Sequence, residues 1–235
     1  MQYSLAVFDM AGTTVADPGH VGQAFINAMA AAGHPVDAET VRPLMGYRKP
    51  EAIGRLLGAA ATPALIERIH ADFVQSMLHR YRHGPGIVAL PAAEAVFAHL
   101  RAHGVAVALN TGFSRDIAES IVQRLGWQSR IDAFIASDEV PAGRPAAHMI
   151  QTLMARLQIT DASAVVKIGD TEVDIQEGRN ARVGLVVAVT TGAYTRTQLR
   201  SHAPDRVISH LDALPGLLDL PPLPEVQSAA PEASR

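Results

Sequence analysis

Several polar residues of this chain follow short apolar runs in a pattern that could do chemistry. Asp9 ends the run Leu5-Ala6-Val7-Phe8. Thr111 comes shortly after Val105-Ala106-Val107-Ala108-Leu109. Arg144 lies beyond Ala133-Phe134-Ile135-Ala136. Asp170 and Asp174 follow Ala164-Val165-Val166-Lys167-Ile168. Each has an ordinary explanation on its own. An aspartate after a strand often caps a turn, Thr111 and Ser114 could cap a helix beginning near Arg115, Arg144 suits a surface, and Asp170 and Asp174 suit a solvated first turn. Together they hold more. Carboxylates can share a cation, while a hydroxyl and a guanidinium can hold an anion. If the runs are parallel strands, all these groups meet at one end of one sheet, where open α/β sheets place their sites.

The runs themselves support that arrangement. They are continuously apolar, as strands covered on both faces are. A fifth, Leu185-Val186-Val187-Ala188-Val189, completes the set. Helical patterns over about 92–103, 115–126, 146–157 and 173–182 separate the later runs, so strands and helices alternate. That implies an α/β fold with a doubly wound, Rossmann-like parallel sheet and right-handed crossovers. The interval between the first two runs breaks the rhythm. It holds about 95 residues, against the dozen or so of a minimal crossover. Residues 20–81 read as helices only, with apolar stripes at Phe25, Ile26 and Met29, at Ile53, Leu56 and Leu57, and from Leu65 to Met77. The spacing predicts a helical cap domain over 17–86, inserted into a core of 1–16 and 87–220. The Pro/Gly-rich hinges would be Asp17-Pro18-Gly19 and Gly84-Pro85-Gly86. From Pro221 to residue 235 the composition is that of a disordered tail.

Composition narrows the function further. The chain has 235 residues, 48% of them hydrophobic and 18% charged, which is an ordinary globular balance. It contains no cysteine, which excludes disulfides, thiolate metal sites and a cysteine nucleophile. No apolar run approaches the roughly 18 residues of a membrane span, and the first ten residues lack the basic segment of a secretory signal. A net charge of −3 gives no general attraction to nucleic acid or to an anionic membrane. The expectation is a soluble cytoplasmic protein with a small-molecule substrate and neither nucleic acid nor membrane as partner. A homodimer is compatible with the sequence but not dictated by it. His99/His103 and His79/His83 have the spacing of helix metal ligands, yet ten histidines produce such pairs by chance and no zincin pattern accompanies them. Neither a Gly-x-x-x-x-Gly-Lys loop nor Gly-x-Gly-x-x-Gly occurs.

Longer segments carry a resemblance. Asp9-Met10-Ala11-Gly12-Thr13-Thr14-Val15 resembles the first motif of the haloacid dehalogenase superfamily in the form found in phosphonatase-like hydrolases. Asn110-Thr111-Gly112 resembles the second motif. Val140-Pro141-Ala142-Gly143-Arg144-Pro145 resembles the third, with arginine where most of the superfamily has lysine. The segments 167–174 and 177–181 resemble the fourth. The likeness spans about residues 3–195 in order and spacing. It implies the superfamily's core with an inserted cap. It also implies Asp9 as a nucleophile forming an aspartyl-phosphate. A magnesium cage is implied from Asp9, Asp170 and the backbone carbonyl of Ala11, with Asp174 behind it or acting through water. Thr111, the Gly112 amide and the fork of Arg144 would bind phosphoryl oxygens, and Thr13 would orient the first loop.

Ala11 is the informative departure. Most phosphatases of the superfamily carry a second aspartate there, which protonates the leaving alkoxide. Without it an ester phosphatase would forgo about 10²–10⁴ in rate. Cleaving a C–P bond instead expels a carbanion, which needs an electron sink such as an iminium. Met45-Gly46-Tyr47-Arg48-Lys49 resembles the phosphonatase cap segment, whose lysine forms that Schiff base. The resemblance thus implies Lys49 as the amine and Met45 and Gly46 at the substrate, with Arg42, Arg48 and burial lowering the lysine pKa. A solvated lysine on a cap loop is the ordinary alternative. In phosphonatase a histidine stands where this chain has Ala52. Either His20 or Tyr47 takes over its proton transfer, or the substrate differs. Three functions remain open at this point: a magnesium-dependent C–P hydrolase acting on phosphonoacetaldehyde or a related phosphonate, a phosphate monoester phosphatase that does not use Lys49, and a non-catalytic phospho-ligand sensor. The intact carboxylates count against the last.

Overall fold

The computed structural model describes residues 2–84 and 87–224. Five apolar runs form strands: β1 (Leu5–Asp9), β2 (Ala106–Thr111), β3 (Ala133–Ala136), β4 (Val165–Gly169) and β5 (Leu185–Val189). A short β6 (Arg206–Ile208) joins them at the edge. All pair in parallel in the order β3-β2-β1-β4-β5-β6. The order reverses on either side of β1, which opens a crevice at the carboxyl ends of the central strands.

Side-chain alternation explains why both faces are covered. In β1, Ala6 and Phe8 enter one apolar cluster, and Leu5 and Val7 enter another on the opposite face. The helices α5 (Ala93–Ala102) and α6 (Arg115–Arg124) cover the first face, where Phe8, Phe97 and Trp127 stack edge to face. The helices α7 (His148–Arg156), α8 (Glu172–Asn180) and α9 (Arg196–Ser201) cover the second. A final turn, α10 (Leu214–Leu217), closes over α5.

Among the described residues between β1 and α5, the regular elements are helices: α1 (His20–Ala31), α2 (Ala38–Val41), α3 (Lys49–Leu57) and α4 (Pro63–His83). Ile69, Phe73 and Met77 recur at helical spacing and are fully buried. Phe73 packs against Phe25 of α1 with ring centroids 4.7 Å apart. Thr62 caps α4 by accepting from the Leu65 amide, and Pro63 opens it. The helical segment leaves and re-enters the sheet through a paired stem. Ala16 N donates to Val88 O at 2.9 Å, and Leu90 N donates to Thr14 O at 2.8 Å. Asp17, expected as part of a hinge, caps α1 by accepting from the His20 and Val21 amides. Of the second expected hinge, Pro85 and Gly86 lie outside the described residues.

Of the expected tail, only residues 221–224 are described: the Pro221 carbonyl faces His99 Nε2 at 2.9 Å, and Leu223 packs on the core. Residues 225–235 lie outside the described part. Among the described residues no helix is long and apolar enough to cross a membrane.

Candidate active site

Asp9 is the last residue of β1 and Thr111 the last of β2. Asp170 comes one residue after β4, and Asp174 lies in the first turn of α8. The crevice therefore gathers these groups as their positions after strands require. The carboxylates of Asp9, Asp170 and Asp174 are buried, with oxygens within 4.8 Å of one another. Neither histidine pair enters such a cluster among the described residues.

The three carboxylates live differently. Asp174 is fully engaged. One oxygen faces Arg144 and Lys167 Nζ (2.9 Å to the lysine), and the other accepts from Thr171 Oγ1 and N. Burial raises its pKa, but Arg144 and Lys167 outweigh that and hold it at about 2. Asp9 shares Arg144, whose Nη2 lies 2.5 Å from Oδ1. Burial pushes its pKa up against that pull. Asp170 is bonded by Thr13 Oγ1 at 3.0 Å and the Ala193 amide at 2.9 Å, both uncharged. Burial and then repulsion from Asp9 and Asp174 drive its pKa well above the usual range. Oxygen-only donors carrying uncompensated buried negative charge suit a hard divalent cation between Asp9 and Asp170. Gly192 permits the last loop to reach Asp170, since a Cβ there would lie 1.8 Å from Oδ2.

A cavity of about 330 Å³ opens in front of this cluster. Of the residues singled out from sequence, Asp9, Ala11, Met45, Gly46, Lys49, Thr111, Gly112 and Asp170 line it. Thr13, Arg144 and Asp174 lie behind. The Arg144 fork, expected on phosphoryl oxygens, spans Asp9 and Asp174 instead. It is fully buried in the segment between β3 and α7, and both terminal nitrogens are engaged by carboxylates. Thr13 acts on Asp170 rather than on its own loop. Ser114 makes no side-chain cap. Asp138 accepts from the Arg115 amide in its place.

Lys49 reaches the same cavity from the helical segment. It opens α3 and is 3% exposed. Its Nζ donates to the Tyr47 carbonyl at 3.2 Å and lies 5.4 Å and 5.0 Å from the ring centres of Phe25 and Phe113. Burial, and then the charge of Arg144, lower its pKa to about 8 against the pull of Asp9, Asp17 and Asp170. The expected influence of Arg42 and Arg48 is replaced. Arg42 faces Glu39 at 3.8 Å, and Arg48 reaches the Pro141 carbonyl at 3.5 Å. Neither candidate for the missing histidine turns a ring to the cavity. His20 Nε2 faces Arg80 at 3.4 Å, and the Tyr47 ring lies under the Arg55 guanidinium at 4.3 Å.

The segment carrying Lys49 sits directly on the core. A Cβ on Gly112 would fall 2.4 Å from the Tyr47 carbonyl and 2.6 Å from that of Gly46. A Cβ on Gly46, whose φ is +85°, would fall 2.6 Å from Thr171 Oγ1. Only glycines allow the two loops to meet this closely.

Behind the carboxylates lies a buried network that the sequence reading did not pick out. Lys167 Nζ reaches Asn110 Oδ1 at 2.7 Å, Asp174 at 2.9 Å and Glu177 at 3.3 Å, while Asn110 Nδ2 donates to both Glu177 oxygens. A lysine inside the otherwise apolar run of β4 was its visible signal.

The family description of haloacid dehalogenase-like hydrolases matches residues 3–182. The chain belongs to this family. As a haloacid dehalogenase-like hydrolase it is an enzyme, and its similarity is to the phosphonatase-like members. It is 34% identical to a phosphonoacetaldehyde hydrolase of Latilactobacillus sakei over 193 residues, covering 75% of this chain and 72% of that one. It is 32% identical to a phosphonoacetaldehyde hydrolase of Bacteroides fragilis over 220 residues, covering 84% and 80%. The fold of this hydrolase matches the crystal structure of a hydrolase from Pseudomonas syringae with a TM-score of 0.83 at 21% identity, covering 93% and 99%. It also matches a phosphonoacetaldehyde hydrolase-like protein from Oleispira antarctica with a TM-score of 0.79 at 21% identity, covering 93% and 92%.

Proposed function

We propose that this haloacid dehalogenase-like hydrolase cleaves the C–P bond of phosphonoacetaldehyde or a related 2-oxo phosphonate. The observation that carries the reading is a buried amine of pKa about 8, Lys49, in one cavity with Asp9 and Asp170. Such an amine is neutral often enough near neutral pH to condense with a carbonyl. The two curated relatives named phosphonoacetaldehyde hydrolase support it. Ala11 supports it too, because a methyl group cannot protonate a leaving alkoxide and an ester substrate would want that acid.

In this mechanism Lys49 Nζ attacks the substrate carbonyl and loses water to form an iminium. The phosphonate rests against Thr111 and the Gly112 amide. Asp9, Asp170 and the Ala11 carbonyl, with Asp174 behind them, would hold Mg²⁺, which would supply charge compensation for the phosphoryl oxygens. Arg144 fixes one oxygen of Asp9, and the other attacks phosphorus. The P–C electron pair flows into the iminium, leaving an enamine on Lys49 and a phosphoryl group on Asp9. Water hydrolyses the aspartyl-phosphate to inorganic phosphate. The enamine takes a proton at carbon, and a second water releases the carbonyl product and the free amine.

The decisive experiment adds borohydride during turnover of phosphonoacetaldehyde with Mg²⁺. The expected result is a reduced secondary amine on the peptide containing Lys49. Lys49→Arg should abolish both adduct and phosphate release, because a guanidinium stays protonated and cannot condense. No adduct, together with an active Lys49→Arg enzyme, would transfer the assignment to phosphate ester hydrolysis.

A further inference from the structure

The cavity is larger and more apolar than a two-carbon phosphonate requires. Its 330 Å³ is the liquid volume of on the order of ten water molecules. The polar groups gather at one end, around Asp9, Thr111 and Asp170. Beyond Lys49 the wall is built by Val21, Gly22 and Ile26 of α1 and by Ala38 and Val41 of α2. A Cβ on Gly22 would meet no heavy atom within 4 Å, so the space extends up to that helix backbone. The polar residues on this side are already engaged. Gln23 bonds Asn27 at 2.9 Å, Arg42 faces Glu39, and Asp17 caps α1. Apart from these three, the residues of this side (Val21, Gly22, Ile26, Ala38 and Val41) offer no side-chain donor or acceptor.

We propose that this compartment holds an apolar tail, and that the substrate is a 2-oxoalkylphosphonate whose carbon chain continues beyond the carbonyl. The proposal rests on the C–P cleavage reading above and extends it to the substrate's skeleton. With the phosphonate at Asp9 and the carbonyl carbon at Lys49, the third and later carbons point to α1 and α2. The reaction balances as one water added per bond cleaved. The C–P bond breaks, the carbon gains a proton to become a methyl ketone, and phosphorus leaves as inorganic phosphate. The electron pair returns from the enamine through Lys49, so no oxidant or reductant is needed. Tail burial supplies binding energy remote from the reacting atoms, which can hold the carbonyl against the amine.

Calorimetric binding of methyl-, propyl- and hexylphosphonate in the presence of Mg²⁺ tests the compartment without any imine chemistry. Affinity should rise by up to about fourfold per methylene. Gly22→Leu should flatten that rise by filling the space, and Gly22→Ala should reduce it. Both replacements raise helix propensity, and the readout is a ratio between ligands of one protein. Equal affinity across the series, or no binding at all, overturns the tail compartment. In parallel, phosphate release is followed from phosphonoacetaldehyde, 2-oxopropylphosphonate and 2-oxohexylphosphonate. The hexyl ketone should have the higher kcat/KM of the two ketones. Turnover of the aldehyde with equal kcat/KM for both ketones overturns the tail alone. Failure of all three to release phosphate overturns the C–P reading, and the alkylphosphonate series still decides the compartment.

Discussion

Replacing Lys49 with methionine should make the protein more stable at neutral pH while removing its chemistry. The amine's pKa falls from 10.5 to about 8 because burial disfavours the charged form. The sign follows from proton counts. Between the two values the unfolded chain holds more protons than the folded one, so this group's contribution to stability rises with pH from about 8 to 10.5 and is least favourable below 8. A difference of 2.5 pH units (10.5 − 8) at about 1.36 kcal/mol each gives about 3 kcal/mol at pH 7. Methionine keeps the length and apolar contacts, but loses the approach to the Phe25 and Phe113 rings and the bond to the Tyr47 carbonyl. Those losses offset on the order of 1–2 kcal/mol. The net gain is therefore about 1–2 kcal/mol, a few degrees of melting temperature in a chain of this size. Denaturation of both proteins in metal-free buffer at pH 7.0 and 9.5 checks it. The advantage of methionine should shrink by about 2 kcal/mol at the higher pH, because the folded amine is by then neutral and holding the proton favours the unfolded chain less and less as pH approaches 10.5. A methionine variant that is less stable at pH 7, or whose difference from wild type ignores pH, would refute a strained, partly neutral lysine.

Three further perturbations address the rest of the site. Asp9→Asn should leave the fold intact and lower phosphate release below about one per cent of wild type, since an amide is no nucleophile for phosphorus; higher residual turnover would remove Asp9 from that role. Asp170→Ala should weaken Mg²⁺ binding and cost activity that excess metal only partly restores, and an unchanged metal titration would place the ion elsewhere. Gly112→Ala should push the Tyr47 carbonyl off the core, lower kcat/KM on the order of a hundredfold and increase proteolysis near Pro18; an alanine enzyme of wild-type rate would mean that the loops need not meet.

The chemistry-bearing residues were readable because the three strands that end at them are apolar runs, broken only by Lys167 in β4 and by the polar ends of β1 and β2. Asp9, Thr111 and Asp170 stand where those strands end, and period-2 burial from both sides makes such runs conspicuous. The edge strand β6 has only Arg206, Val207 and Ile208, of which Ile208 alone is buried, and so carried no such signal. Arg144 was identifiable as a site residue from its neighbours in sequence, but not its partners. A guanidinium between two carboxylates depends on how the segment after β3 packs against the end of β1 and the first turn of α8. The same holds for Lys49. Its depressed pKa comes from burial against Phe25 and Phe113 and from Arg144, none of them adjacent in the chain, whereas adjacent Arg48 points away. The loop that ends in Ala193 and bonds Asp170 was missed because it offers a backbone amide, which any residue type provides.

The seat between Gly46 and Gly112 has an energetic consequence. The Gly112 α-carbon meets the Gly46 and Tyr47 carbonyl oxygens, and the Gly46 α-carbon meets the short side chains of Thr171 and Val173, so no long side chain is ordered at these two points of contact. Ordering a rotamer-rich side chain costs up to about 2 kcal/mol, and here that term is absent. If the segment lifts from the core, little side-chain ordering at these contacts would separate the lifted from the seated arrangement, and a ligand would need only modest preference for one of them to set its population. A small anionic substrate, with few atoms to spend on moving protein, is the kind of ligand for which such a shallow balance matters.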